Sequence, residues 1–153
     1  YAGRAKTLEI APGDSTKPIQ VRRAVLNIRR RKGMVLDIDD HDSWSAGSFF
    51  TNPIVDQQTA TGLPDDAPRW PAGEGQVKLS AAWLIEHAGF GRGWSIGADA
   101  RASLSFKHTL AITNRGHASA DDVLELARRV RAGVHDEFGI TLHPEPNLVG
   151  CSL

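Results

Sequence analysis

The chain has 153 residues, 41% of them hydrophobic and 24% charged, which is enough apolar side chain for the core of one ordinary globular domain and too much for disorder. Eighteen basic and eighteen acidic residues leave no net charge, so composition gives no argument for nucleic acid or a membrane surface as partner. No apolar run approaches the ~20 residues that span a bilayer, and the single cysteine, Cys151, excludes an internal disulfide and fits a reducing, cytoplasmic setting.

The chain opens at Tyr1 without a methionine or a leader segment, and is read as a piece of a longer protein. After a loop at Ala11-Pro12-Gly13-Asp14, a helix is expected, with Ser15 or Thr16 as cap, Pro18 in the first turn and Val21, Ala24, Val25 and Ile28 on one buried face. Arg29 to Lys32 suit the negative end of its dipole, and Gly33 supplies a stop. With Arg22 and Arg23 these bases resemble a nucleic-acid patch, but a solvated helix end explains them better in a chain of zero net charge. A short strand is expected over 34–38.

Asp37, Asp39, Asp40, His41 and Asp42 then form an acidic run. It is not a calcium loop, because the sixth position is Asp42 instead of glycine and the twelfth is Ser48 instead of glutamate. A solvated turn is expected. In the stretch from Trp44 to Pro53, Gly47 lets the backbone approach a ligand, Phe49 and Phe50 anchor a strand and Pro53 ends it. Ser48 and Asn52 are thereby held near the end of a buried element. A proline- and glycine-rich loop over 63–75 places Trp70 between Arg69 and Pro71, either to stack on a ligand or to tuck onto the surface.

A second helix is expected over 79–87, with Leu79, Ala82, Trp83 and Ile85 facing inward and Lys78 at its start, where the cation reaches solvent or holds an anion. Gly89-Phe90-Gly91-Arg92-Gly93 follows a helix instead of a strand, so it reads as a turn and not a dinucleotide fingerprint. Strands are expected over 94–98 and 106–113. The third helix has a Ser119/Asp122 capping box and an apolar face of Val123, Leu126, Ala127, Val130, Val134 and Phe138, ending at Gly139. A short strand over 140–142 leads to Glu145, whose direction is fixed by Pro144 and Pro146. The six histidines show no ligand spacing, so no metal site is expected. The expected fold class is α+β: a small, mainly antiparallel sheet with about three helices packed on it.

Taken in order, Gly47-Ser48-Phe49-Phe50-Thr51-Asn52-Pro53, the stretch Lys78 to Glu86, Ser105-Phe106-Lys107-His108-Thr109-Leu110 with Thr113-Asn114-Arg115-Gly116, and Pro144 to Gly150 resemble the UDP-N-acetylenolpyruvoylglucosamine reductases of bacterial peptidoglycan synthesis. The resemblance covers the C-terminal, substrate-binding part of such an enzyme, over residues 1–153. It implies that the FAD-binding domains, and an arginine they contribute, precede this stretch. The implied reaction has NADPH reduce FAD, after which hydride passes to the enolpyruvyl ether of UDP-N-acetylglucosamine enolpyruvate and a proton completes the lactyl group. By this resemblance Ser48 is the proton donor and Glu145, with that arginine, stabilises the intermediate. Because an ionised carboxylate would repel that intermediate, burial or a neighbouring anion is expected to make Glu145 a neutral donor in the complex. Asn52, Lys78, Trp70, Lys107 and His108 match substrate-contacting positions. Trp70 stands where relatives carry a tyrosine, and Lys107 and His108 where some carry glutamine. The reading from a different class is a UDP-sugar-binding module without chemistry.

Overall fold

A computed structural model describes residues 15–153, and the loop expected at Ala11-Pro12-Gly13-Asp14 lies outside the described residues. Helix α1 (Pro18–Arg31) starts on proline, whose missing N–H costs nothing in a first turn, and ends on Arg29, Arg30 and Arg31. The cap differs from expectation. Lys17 occupies the N-cap position, and Gln20 Oε1 accepts both the Lys17 N–H at 3.3 Å and the Thr16 hydroxyl at 2.6 Å. Of the face expected to be buried, only Ala24 is fully covered.

No strand forms over 34–38. Leu36 and Ile38 are 80% and 78% exposed, and the segment bends into a turn because the Asp37 carbonyl accepts the Ser43 hydroxyl at 2.8 Å and Trp44 Nε1 at 3.0 Å. A 3-10 turn over His41–Ser43 follows, in which the Asp40 carboxylate accepts the Asp42 N–H at 3.0 Å.

Strand β1 (Ile54–Asp56) runs into α2 (Gln57–Thr61), a short helix capped by the Asp56 carboxylate on the Thr59 N–H at 2.6 Å. Strands β2 (Arg69–Pro71) and β3 (Gln76–Leu79) complete an antiparallel sheet in the order β1-β3-β2. Helix α3 (Ala81–His87) begins two residues later than expected: Leu79 is the last residue of β3, and Ser80 caps the helix through the Trp83 N–H at 3.2 Å. Its covered residues are Ala81, Leu84 and Ile85.

A second, two-stranded antiparallel sheet pairs β4 (Ala102–Leu104) with β5 (Ile112–Asn114). Residues 94–98 form no strand, and the expected 106–113 strand is confined to its end, since Phe106 to Leu110 make the connection between the two strands. Helix α4 (Ala120–Phe138) has the capping box as read: the Ser119 hydroxyl accepts the Asp122 N–H at 3.2 Å, and the Asp122 carboxylate accepts the Ser119 N–H at 2.7 Å. It packs on β4, β5 and α3, burying Leu126, Val130 and Val134 against a core that includes Phe50, Leu79, Leu84, Ile85 and Leu104. Residues 140–142 form no strand, although Ile140 and Leu142 are both buried in that core. The architecture is α+β, with two small antiparallel sheets in place of one.

Candidate active site

Residues 48–51 run between two other segments. On one side the Phe49 N–H donates to the Leu110 carbonyl at 2.7 Å and Ser48 pairs with Ala111. On the other the Thr51 N–H donates to the His143 carbonyl at 3.0 Å, Phe50 pairs with Pro144, and the Glu145 N–H donates to the Phe49 carbonyl at 2.9 Å. Phe50, at 2% exposure, nails this crossing into the core. Burying a phenyl ring is worth roughly 1.5–3 kcal/mol, enough to hold a short segment that has only isolated pairings.

Ser48 and Glu145 are thus brought to neighbouring extended segments from distant parts of the chain. Glu145 lies across from Phe49 and is one residue out of step with Ser48. A regular pleat sends successive side chains to opposite faces, so register alone brings the two backbones together without facing the hydroxyl at the carboxyl. Ser48 is half-buried and Glu145 exposed. Beside them Gly47 adopts φ 88°, a conformation costly to other residues, and nothing lies within 4 Å of where a Cβ would be.

Asn52 is partly committed to structure. Its Oδ1 accepts the Ala81 N–H at 2.9 Å, one of the orphan donors at the start of α3, which leaves its amide nitrogen available. Lys78 lies within β3 and not at the start of a helix. It stands across from Trp70 on β2 and Ile54 on β1, so the three side chains share one face of the sheet. Lys78 is exposed, and Trp70 and Ile54 are 46% and 52% exposed. An aromatic plane beside a cation on an open face suits a base linked to a diphosphate.

Lys107 does not stand alone: its ammonium is paired with the Asp40 carboxylate, and that hydrogen bond holds the Asp40 pKa below the usual carboxylate range. His108 is half-buried, and burial, with Lys32 and Arg92 acting in the same direction, lowers its imidazole pKa against the opposing pull of Glu86. The acidic run is therefore not a solvated turn throughout. Asp42 is buried, and accepts from the Phe106 N–H at 3.1 Å and from Arg115 Nη1 at 3.0 Å. Reading the run residue by residue missed this pair, because the partners are far away in sequence.

Three grooves of about 370, 460 and 430 Å³ are lined chiefly by residues 94–102 and α4, or by Arg101, Arg115 and His117, and none includes Ser48, Asn52, Lys78 or Glu145. A flavin needs a deep slot for its rings and clustered N–H donors for its diphosphate. The open surface around Gly47 and Glu145 does not fit that requirement. Among the described residues no group of histidine, cysteine and carboxylate side chains could hold a metal, and no helix is long and apolar enough to cross a membrane.

The family model for the C-terminal domain of UDP-N-acetylenolpyruvoylglucosamine reductase matches residues 39–149. The chain belongs to that family. The reductase of Cutibacterium acnes is 54% identical over 153 residues, all of this chain and 40% of that protein. The reductase of Mycobacterium tuberculosis strain H37Rv is 53% identical over 161 residues, again all of this chain and 43% of that protein. A crystal structure of the reductase (MurB) from Thermus caldophilus aligns at 30% identity over 86% of this chain and 35% of that one, with a TM-score of 0.45. The chain spans about two fifths of the length of these curated relatives, 40% in one and 43% in the other. Every candidate site residue, from Ser48 to Glu145, falls inside the reductase-family match, whereas α1 lies before it.

Proposed function

We propose that this chain is the substrate-binding, proton-donating part of a reductase that converts UDP-N-acetylglucosamine enolpyruvate to UDP-N-acetylmuramate in peptidoglycan precursor synthesis. The observation that carries this reading is the Glu145 N–H bond to the Phe49 carbonyl at 2.9 Å, which brings a distant carboxylic acid to the residue next to Ser48 within a reductase-family domain. FAD, held by segments outside this chain and reduced by NADPH, would supply a hydride to the methylene carbon of the enolpyruvyl ether.

The residues of this chain then answer for charge and proton. Adding hydride to the methylene leaves the electron pair of the former double bond on the ether-bearing carbon, delocalised into the neighbouring carboxylate as an enolate. Ser48 Oγ gives its proton to that carbon, a C–H bond forms as the O–H bond breaks, and the alkoxide recovers a proton from solvent. A serine hydroxyl is a weak acid, but the carbanion is a far stronger base, so proximity and orientation suffice. Glu145 stabilises the enolate as a neutral donor, since an ionised carboxylate would repel it. Glu145 is exposed in this chain, and in the full complex burial or a neighbouring anion would favour that neutral form. Asn52 offers its amide nitrogen to the sugar, Lys78 its charge to the diphosphate and Trp70 its ring to the uracil. Lys107, paired with Asp40, and His108 would add substrate contacts from the turn that precedes Ala111.

In the full-length protein, Ser48→Ala is expected to leave reduction of FAD by NADPH unchanged while slowing flavin reoxidation by the enolpyruvyl sugar by ~10²-fold or more, the range of general-acid contributions. Stopped-flow absorbance of the flavin reads both steps. Reoxidation at the wild-type rate would remove Ser48 as donor. The alternative, a UDP-sugar-binding module without chemistry, draws on the exposed Trp70 and Lys78 pair. It predicts that the full-length protein binds the nucleotide sugar but never reoxidises a reduced flavin with it.

A further inference from the structure

We infer that Asp42 is a positioning residue for Ser48, an inference that rests on the proposed donor role of that serine. Asp42 is 6% exposed, and it lies in an acidic run whose charges would otherwise be expected to face water. One oxygen, Oδ1, accepts both the Phe106 N–H at 3.1 Å and Arg115 Nη1 at 3.0 Å. Phe106 lies in the segment that joins β4 to β5, and Arg115 follows the last residue of β5. The Arg115 guanidinium also lies 5.3 Å from the centre of the Phe106 ring, so the same three groups are held by charge, hydrogen bond and cation–π attraction.

The Phe106 ring, although 57% exposed, also lies close to Gly93. A Cβ on Gly93 would stand 2.3 Å from Phe106 Cε1, so the ring sits directly on a bare backbone. Asp42 is itself held from behind, since a Cβ on Gly33 would come within 2.5 Å of its carbonyl oxygen. Within the connection, Ser105 Oγ accepts the Lys107 N–H at 3.0 Å and the Ala111 N–H donates to the His108 carbonyl at 3.0 Å, which keeps it a tight turn instead of a loose loop.

That turn delivers the groups that fix the backbone of Ser48. Its Leu110 carbonyl takes the Phe49 N–H at 2.7 Å and Ala111 pairs with Ser48 itself. On the near side, the Asn114 N–H donates to the Trp44 carbonyl at 2.9 Å, so the strand carrying Arg115's neighbour also ties down the approach to Gly47 and Ser48. Asp42 thus sets where the 106–111 turn stands relative to the Ser48 strand without reaching the substrate. An error of about 1 Å in placing a reacting group costs on the order of 10²-fold in rate, so a buried carboxylate at this point acts on proton transfer through geometry alone.

The test uses full-length protein with FAD bound and compares Asp42→Asn, Asp42→Ala and Ser48→Ala. The expected result is that Asp42→Ala slows flavin reoxidation by UDP-N-acetylglucosamine enolpyruvate ~10-fold or more, with reduction by NADPH within twofold of wild type. The solvent deuterium isotope effect on reoxidation should rise as proton transfer becomes slower. Asp42→Asn should recover part of the rate, because its carboxamide oxygen still accepts the Phe106 N–H while the charge toward Arg115 is lost. Asp42→Asn serves where Asp42→Ala does not fold. Reoxidation by Asp42→Ala within twofold of wild type with an unchanged isotope effect overturns the proposal, as does that result for Asp42→Asn where Asp42→Ala does not fold, and as does an equal loss of both half-reactions, which marks general damage. Wild-type reoxidation by Ser48→Ala overturns the donor assignment and this inference with it. A slow Ser48→Ala beside an unaffected Asp42→Ala overturns this inference alone.

Discussion

The Glu145 amide donates to the Phe49 carbonyl at 2.9 Å, with Pro144 and Pro146 on either side of it. The bond uses the main chain, so it survives any change of the Glu145 side chain, and the prolines keep the backbone extended whatever that side chain does. Substitutions here consequently report on chemistry and not on folding.

If Glu145 acts as a neutral donor, a carboxamide of the same length replaces part of its role. Glu145→Gln in the full-length protein should reoxidise its flavin with the enolpyruvyl sugar at least ~10-fold faster than Glu145→Ala, and Glu145→Ala should fall ~10²–10⁴-fold below wild type. Both should unfold within about 0.5 kcal/mol of wild type, as exposed substitutions do. Single-turnover absorbance and urea unfolding measure the two. A Gln variant as slow as the Ala variant would mean that the proton of Glu145, and not its donor contact, is what the reaction needs.

Asn52 combines two roles that substitution can separate. Its Oδ1 satisfies the Ala81 N–H at 2.9 Å, and its amide nitrogen is proposed to reach the sugar. Asn52→Asp keeps an acceptor and adds a negative charge near the start of α3, where the helix dipole favours one. Asn52→Ala abandons the acceptor and should cost about 1 kcal/mol, the usual value of such a bond. The expected pattern is therefore a normal melting temperature with a raised KM for Asn52→Asp, and losses in both for Asn52→Ala. An Asn52→Asp enzyme with wild-type KM would place the amide nitrogen away from the substrate.

What the sequence made legible follows the length of each element. α4 is 19 residues long, with a reciprocal cap at Ser119 and Asp122 and a left-handed Gly139 at its end, so several independent local signals agreed. The strands are three or four residues long, too short for alternation to show, and 34–38 and 94–98 were mistaken for strands because apolar residues occur there without partners to pair with. β1 and β2 escape for the same reason, and α2, at five residues, is too short to show a helical period. Lys78 was misplaced onto a helix because Leu79 fits a helical face as well as it fits the buried side of β3. At the candidate site, Ser48 and Asn52 stand in a glycine-to-proline segment around two phenylalanines that local sequence does reveal. The partners of Asp40 and Asp42, by contrast, come from residues 106–115, and no local pattern announces a contact of that span.

His108 gives a pH dependence with a definite sign. An unfolded histidine takes up its proton near pH 6.5, whereas burial of His108, assisted by Lys32 and Arg92 and resisted by Glu86, delays protonation of the folded form to lower pH. Between those two values the unfolded state binds more protons, so stability is complete above about pH 6.5 and declines as pH falls through the folded pKa. His108→Gln removes this proton linkage and leaves a side chain of similar size and polarity. Relative to wild type, the variant should be more stable at pH 5 than it is at pH 7.5, with the difference flat above pH 7. Urea midpoints at the two pH values give the comparison. An identical offset at both would mean that His108 titrates alike in folded and unfolded chains, and that the turn carrying it excludes less water than its half-buried position implies.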